Sequence, residues 1–340
     1  MMDLRYAESV NDLLMAVYDI LKAHRRMALK HHILHCDMSL LNMLICPQRR
    51  PPDGKISNSW MADMSALVGD VLSGTPSRPK SRGLLIEYDH SCMSNVHKAI
   101  RRELTCRTGT PTFIACAVAV AALPCGAAHL EYERMPVLEG KAKEMYVNAY
   151  GQALYETYTD SPESFTCHGG VPRSGRRKDI QVVAQSMPFY HRCEYDAESV
   201  FWTMYSVLLR VLPLNSQETI ATGTALRTAW GILESHTIPK GEEVASYADR
   251  RSLILNYSES SFLAAFLPVM QDVGRMLFNV KEHVVPTWAI MDPPPPFEDH
   301  LHEAIQRHIL SYLVEHEDNP IPLTPGVLRS IIAKEDGRKL

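Results

Sequence analysis

Asp37 and Asn42 stand five positions apart in HILHCDMSLLNMLI, between two apolar runs, and a second aspartate, Asp89, closes the strand-like pattern GLLIEY. Side chains of this type suit phosphoryl transfer, which needs a carboxylate beside the accepting hydroxyl and hard oxygen ligands for magnesium at the phosphates. In that chemistry Asp37 orients the hydroxyl and takes its proton, Asn42 binds one metal through its side-chain oxygen, and Asp89 bridges the metals. The same residues admit a plainer reading. Aspartates in a bend or at a strand end commonly bond their own backbone. What favours chemistry is order, because the bend, the strand-end aspartate, RTGTPTF and YDAESVFW follow one another along the chain.

These residues need elements to hold them. Val10, Leu13, Leu14, Val17, Leu21 and Leu29 recur at spacings of three and four, which predicts a helix over the first 30 residues with Ser9 as its cap. The runs 33–35 and 43–45 predict a hairpin-like pair around the polar bend. PQRRPPDGK then breaks regular structure, and 47–82 reads as an inserted loop with one short helix inside SWMADMSALVGDVL. Residues 129–190, with Gly, Pro and the basic cluster RSGRRK, read as a second surface excursion with mobility. YDAESVFWTMYSVLLRVLP is apolar on nearly every side and predicts a buried helix, with Asp196 at its start able to accept backbone N–H groups. ESSFLAAFLPVMQDVGRMLF reads as a further helix, DPPPPFED as a rigid connection, and HLHEAIQRHILSYLVEH as a last helix that docks through Leu301, Ile305, Ile309 and Leu313. His31 and His32 read as packing or solvent residues rather than ligands, and His300, His302 and His308 as part of a solvated face.

Composition narrows the function classes. At 340 residues, with 46% hydrophobic and 22% charged, the chain can bury a substantial core. A net charge of -4 supplies no field that would draw it to nucleic acid or anionic lipid, so neither is an expected partner. The eight cysteines form no C-x-x-C pair and show no His/Cys spacing of the zinc-finger kind, and MMDLRYAESV is not a signal peptide; both point to an intracellular protein, cytoplasmic or nuclear. The apolar run 113–128 is 16 residues long and contains Pro124 and Gly126, which fits a buried helix rich in Ala and Val better than a membrane span.

The ordered motifs resemble the lower lobe of protein kinases, and more closely the fungal-type protein kinase domain family. HCDMSLLN is similar to that family's catalytic loop, LLIEYDHS to its metal-binding strand end, RTGTPTFIA to the end of its activation segment, and YDAESVFW to its buried helix. HLHEAIQRHILSYLVEHEDNPIPL also has the look of the family. The resemblance implies a mainly α fold: a kinase-like C-terminal lobe with short β-hairpins around the catalytic loop, the N-terminal lobe missing. It implies one domain over 1–340, with inserted loops at about 47–82 and 129–190. By the same resemblance Asp37 is the catalytic base, Asn42 and Asp89 hold magnesium, Thr110 contacts the catalytic aspartate and the substrate, His35 supports the loop from beneath, and Asp196 grips its backbone. Ser39 replaces a phosphate-binding lysine, as is usual in the fungal branch.

Departures set the alternatives. Cys36 stands where the family has Arg, Ala117 near the place of a bracing Glu, and His90-Ser91 after the strand-end aspartate. The activity implied is transfer of the γ-phosphoryl of ATP to Ser or Thr of a protein substrate, with Mg2+, and with weak ATP binding because the resemblance begins at the first helix. Two alternatives stay open: a non-catalytic pseudokinase or scaffold with a protein binding partner, and a longer protein whose upper lobe is encoded upstream.

Overall fold

The computed structural model of the chain describes residues 1–46, 67–73, 81–94, 109–120, 134–159, 189–216, 223–236, 238, 250, 253–254, 257–284 and 298–331. The basic cluster RSGRRK, nearly all of DPPPPFED, and the apolar run beyond 120 lie outside the described residues.

In chain order the elements used below are β1 (Met2–Asp3), α1 (Val10–His31), β2 (Ile33–Leu34), β3 (Met43–Ile45), α2 (Val68–Ser73), β4 (Gly83–Leu85), β5 (Cys92–Met93) and α3 (Cys116–Val120). They continue with α4 (Gly140–Tyr150), α5 (Gln152–Thr159), α6 (Cys193–Arg210), β6 (Val211–Pro213), α7 (Thr224–Glu234), α8 (Glu259–Leu263), α9 (Gln271–His283), α10 (His300–Glu315) and β7 (Leu323–Leu328). The fold is mainly helical with short antiparallel sheets.

Ser9 caps α1 by accepting the Asp12 N–H at 3.1 Å, and the helix stops where His32 takes a left-handed conformation. Val10, Leu13, Leu14, Val17 and Leu21 of α1 are buried, whereas Leu29 is exposed near the helix end. Helix α6 is buried along almost its whole length, as its continuous apolar sequence requires. Its Tyr205 stacks on Phe262 of α8, with ring centroids 4.9 Å apart. Pro268 divides the stretch expected as one helix into α8, a short 3-10 turn and α9, since a proline inside a helix removes a hydrogen bond and clashes with the preceding turn.

The strands flanking the polar bend do not pair with each other. β3 lies between β1 and β4 in one sheet, while β2 pairs with β5 in another. Eight residues, 35–42, separate the two, and the left-handed turn at Cys36 (φ 64°) sends the chain from one sheet to the other instead of closing a hairpin. Sheet and helix touch at Gly83, where a Cβ would stand 2.2 Å from the Ala16 carbonyl oxygen of α1. Only glycine lets β4 approach that closely.

Inside the second expected excursion, 134–159 carries α4 and α5, whose Tyr146, Tyr155 and Tyr158 are buried. Their apolar rings fill space; the Tyr155 hydroxyl bonds the Leu138 backbone, while those of Tyr146 and Tyr158 reach an ionic network at α10. Tyr146 donates to Glu303, Tyr158 donates to Asp299 at 2.7 Å, and Arg25 of α1 bonds both carboxylates. Arg307 donates to Glu303 at 2.7 Å. Helix α10 is therefore covered on several sides, and His300 and His302 are buried rather than solvated. Among the described residues no helix is long and apolar enough to cross a membrane, and the described part of the apolar run contains only the short α3.

Candidate active site

Helix α1 and β2 deliver the chain to His35, and the loop that follows is gripped from below by α6. The Asp196 carboxylate accepts the His35 backbone N–H at 2.9 Å and the Cys36 backbone N–H at 3.0 Å, one on each oxygen. His24 of α1 adds a bond from its Nε2 at 2.8 Å. Burial by itself raises the Asp196 carboxyl, but His24 in contact with it, with His35 and His191 nearby, outweighs burial and holds the group at about 2. Asp196 does not cap its own helix, whose N-cap position belongs to Arg192.

Thr110 and Asn42 fix the carboxylate of Asp37. Oδ1 accepts from the Thr110 backbone N–H at 2.8 Å and its hydroxyl at 3.0 Å, and Oδ2 accepts from Asn42 Nδ2 at 2.9 Å. The same Nδ2 donates to the Asp37 carbonyl at 2.9 Å, so the Asn42 amide is oriented through its nitrogen and the Oδ1 is left for other work. His35 lies beneath this arrangement: its Nε2 donates to the Ile86 carbonyl at 2.8 Å and its Nδ1 accepts the Asp37 N–H at 3.3 Å. Those roles need a neutral ring. Burial supplies one by lowering the His35 pKa from its ordinary value. The Thr203 hydroxyl of α6 donates to the Met38 carbonyl at 3.2 Å, a second tie from the buried helix to the loop.

Pairing of β3 with β4 brings the backbone that leads to Glu87 and Asp89 alongside Asn42. Met43 opposes Leu85, and the Ile86 N–H donates to the Asn42 carbonyl at 3.0 Å. Glu87 follows directly, in a left-handed conformation (φ 63°) and exposed. Asp89 lies two residues further on, in the 3-10 turn Tyr88–His90; its side chain is 66% exposed and lies 3.9 Å from His90. Sequence reasoning took GLLIEY as the strand and so passed over Glu87. The ladder stops at Leu85, and the first carboxylate after the unbroken apolar run GLLI was the available signal. Asn42 Oδ1 and these carboxylates are hard oxygen donors, a set that fits magnesium and not a thiophilic metal. Cys36, at the place of the expected arginine, has its Sγ 3.1 Å from Cys92 Sγ of β5.

The segment bearing Thr110, where a bracing glutamate was expected near Ala117, is held instead from α6 and by Arg250. Gly109 has φ +123°, and a Cβ there would stand 3.1 Å from the Cys36 carbonyl oxygen, so the segment passes close over the loop. Glu198 of α6 accepts from Cys116 N–H at 2.8 Å and from Trp202 Nε1 at 3.0 Å. Arg250 donates to the Thr112 carbonyl and, at 3.1 Å, to the Ile114 carbonyl, with its guanidinium 4.6 Å above the Trp202 ring. Burial pulls Arg250 down to about 10, which leaves it charged at neutral pH. Ala117 packs in the apolar cluster with Ile114, Phe189 and Tyr195.

No curated protein and no solved structure matches this sequence. The sequence pattern of the fungal protein kinase family does match, over residues 2–208, from β1 through nearly all of α6. That span takes in the bend, the strand end with Glu87 and Asp89, the Thr110 segment and Asp196, and it is more than half of the 340 residues. The chain belongs to the fungal protein kinase family.

Proposed function

We propose that the chain transfers the γ-phosphoryl group of ATP to a serine or threonine hydroxyl of a protein, with Asp37 as general base. The observation that carries this reading is the Asp37 carboxylate, fixed on one oxygen by Thr110 and on the other by Asn42 while the residue remains only half-buried. A base so held meets an incoming hydroxyl in one orientation, which is most of what a kinase supplies at this position. His35 and Asp196 act as positioning residues: they fix the backbone from which Asp37 projects.

Magnesium, when bound, neutralises charge on the phosphate oxygens. Asn42 Oδ1 and the Glu87 carboxylate are the groups that would hold it, with Asp89 the more remote carboxylate. Both acids are exposed, so their hold on a phosphate-bound cation works against water's high dielectric, and nucleotide affinity is expected to be modest. The same exposure favours a second reading, a non-catalytic scaffold that docks a protein on this surface.

Titration with Mn2+ and ATP, followed by electron paramagnetic resonance, separates the two. Asn42→Ala and Glu87→Gln are expected to weaken Mn2+-ATP binding by about tenfold or more, equivalent to about 1.4 kcal/mol, with Asp89→Asn changing it less. No binding by the unaltered chain would favour the scaffold.

A further inference from the structure

A second constellation lies behind the active site, where α1, α6 and α10 meet. His24, Cys193 and His302 bring one ligand atom each to within 4.8 Å of one another, and all three are buried. His24 Nδ1 and His302 Nε2 are 2.8 Å apart, and Cys193 Sγ lies 4.0 Å from that Nε2 and 3.8 Å from His302 Nδ1. In a tetrahedral site with zinc bonds of about 2.0–2.3 Å, donor atoms stand roughly 3.3–3.6 Å apart. The two nitrogens must separate by about half an ångström, and the sulfur, within 4.8 Å of both, must close on them by up to roughly an ångström. We infer that His24, Cys193 and His302 form a buried structural site for a divalent cation of the zinc class.

Two features set this cluster apart from a hydrogen-bonded histidine pair. His24 Nε2 donates to the Asp196 carboxylate at 2.8 Å, which leaves Nδ1 with its lone pair turned toward the cluster. A carboxylate behind a ligating imidazole is the arrangement that fixes ring orientation and raises ligand basicity in zinc sites. Charge is the other. Without a cation the pocket holds the Asp196 anion against imidazoles and a thiol; with one, the Asp196 carboxylate and the Cys193 thiolate together balance two positive charges.

The exchange is simple. Cys193 S–H loses its proton to solvent as the metal–sulfur bond forms, the His302 proton moves from Nε2 to Nδ1, and His24 keeps its proton on Nε2 toward Asp196. Soft sulfur with two imidazoles selects zinc over magnesium, so this site does not compete with the active site for its cation. Its ligands stand 278 and 109 positions apart, His24 from His302 and Cys193 from His302, which is why no spacing motif announces it. An ion here would clamp three helices and stiffen Asp196, the anchor of the Asp37 loop.

The full chain, purified from zinc-supplemented cells, is expected to carry about one zinc by mass spectrometry. Exchange for Co2+ should give a thiolate-to-cobalt charge-transfer band in the near ultraviolet, lost in Cys193→Ser with far-ultraviolet circular dichroism unchanged. Failure of the native chain to hold zinc and to develop the cobalt band overturns the inference, as does a band that persists in Cys193→Ser. If Cys193→Ser does not fold, the stoichiometry and cobalt spectrum of the native chain decide the matter. Neither readout depends on phosphotransfer, so the proposed activity can fail while this site stands.

Discussion

Asparagine at position 196 would keep the shape of the anchor and remove its charge. In the native chain Asp196 accepts two backbone N–H bonds from the Asp37 loop and one from His24, all buried. Asparagine has one acceptor oxygen, so its amide nitrogen must face a donor, and one loop N–H is left without a partner. A hydrogen bond to a charged group is worth about 1.5–3 kcal/mol. The fall of the carboxyl from its ordinary 3.8 to about 2 reports those same contacts and corresponds to roughly 2 kcal/mol of stabilisation. Either measure places the loss for Asp196→Asn at about 2–3 kcal/mol. The assay is equilibrium urea unfolding of chelator-treated protein, read by tryptophan fluorescence, with Trp202 nearly two turns further along the same buried helix.

The pH dependence follows from the sign of the shift. A carboxyl depressed in the folded state contributes stability that is fully present above its unfolded pKa and is lost as pH falls through the folded value. The gap between native chain and Asp196→Asn should therefore be constant above about pH 5 and shrink between pH 4 and pH 2. A loss below about 1 kcal/mol at neutral pH, or a gap that does not narrow in acid, would refute the reasoning.

Three further outcomes follow from packing. Gly83→Ala places a methyl 2.2 Å from the Ala16 carbonyl oxygen and should cost about 2 kcal/mol or more, seen as a lowered melting temperature; an unchanged one would contradict the close approach of β4 to α1. Glu303→Ala strips a buried acceptor from Arg25, Arg307 and Tyr146, and should destabilise by about 3–5 kcal/mol in denaturant titration, far above the change for an exposed pair such as Arg275–Glu259. Arg250→Met removes the donors that hold the Thr112 and Ile114 carbonyls, and should speed amide exchange across 109–120 at least tenfold while the amides of α1 are unaffected.

Much of this organisation is legible in the chain itself, and what is hidden has a common cause. Helix α6 is readable because it is apolar on every side, and α1 because its apolar residues fall on one face behind a serine cap. The order of HCDMSLLN, LLIEYDHS, RTGTPTFIA and YDAESVFW carries the family. Contacts between distant segments are not written in any local period. β2 chooses β5 over the nearer β3, Arg250 braces a segment more than 130 residues away, and His302 is buried because α1 and α6 cover it. Helices α4 and α5 escaped notice because tyrosines serve there as core, with glycines at 140 and 151 punctuating the stretch. Glu87 was passed over because a strand pattern of six residues pairs in only three.

The most direct test is incorporation of the γ-phosphate of ATP into a serine- or threonine-containing protein substrate by the unaltered chain and by Asp37→Asn. Loss of a positioned general base is expected to lower the rate by about 100-fold or more, with the fold and Mn2+-ATP affinity retained. Equal incorporation by the two proteins, or none by the unaltered chain with Mg2+ present, would contradict the assignment.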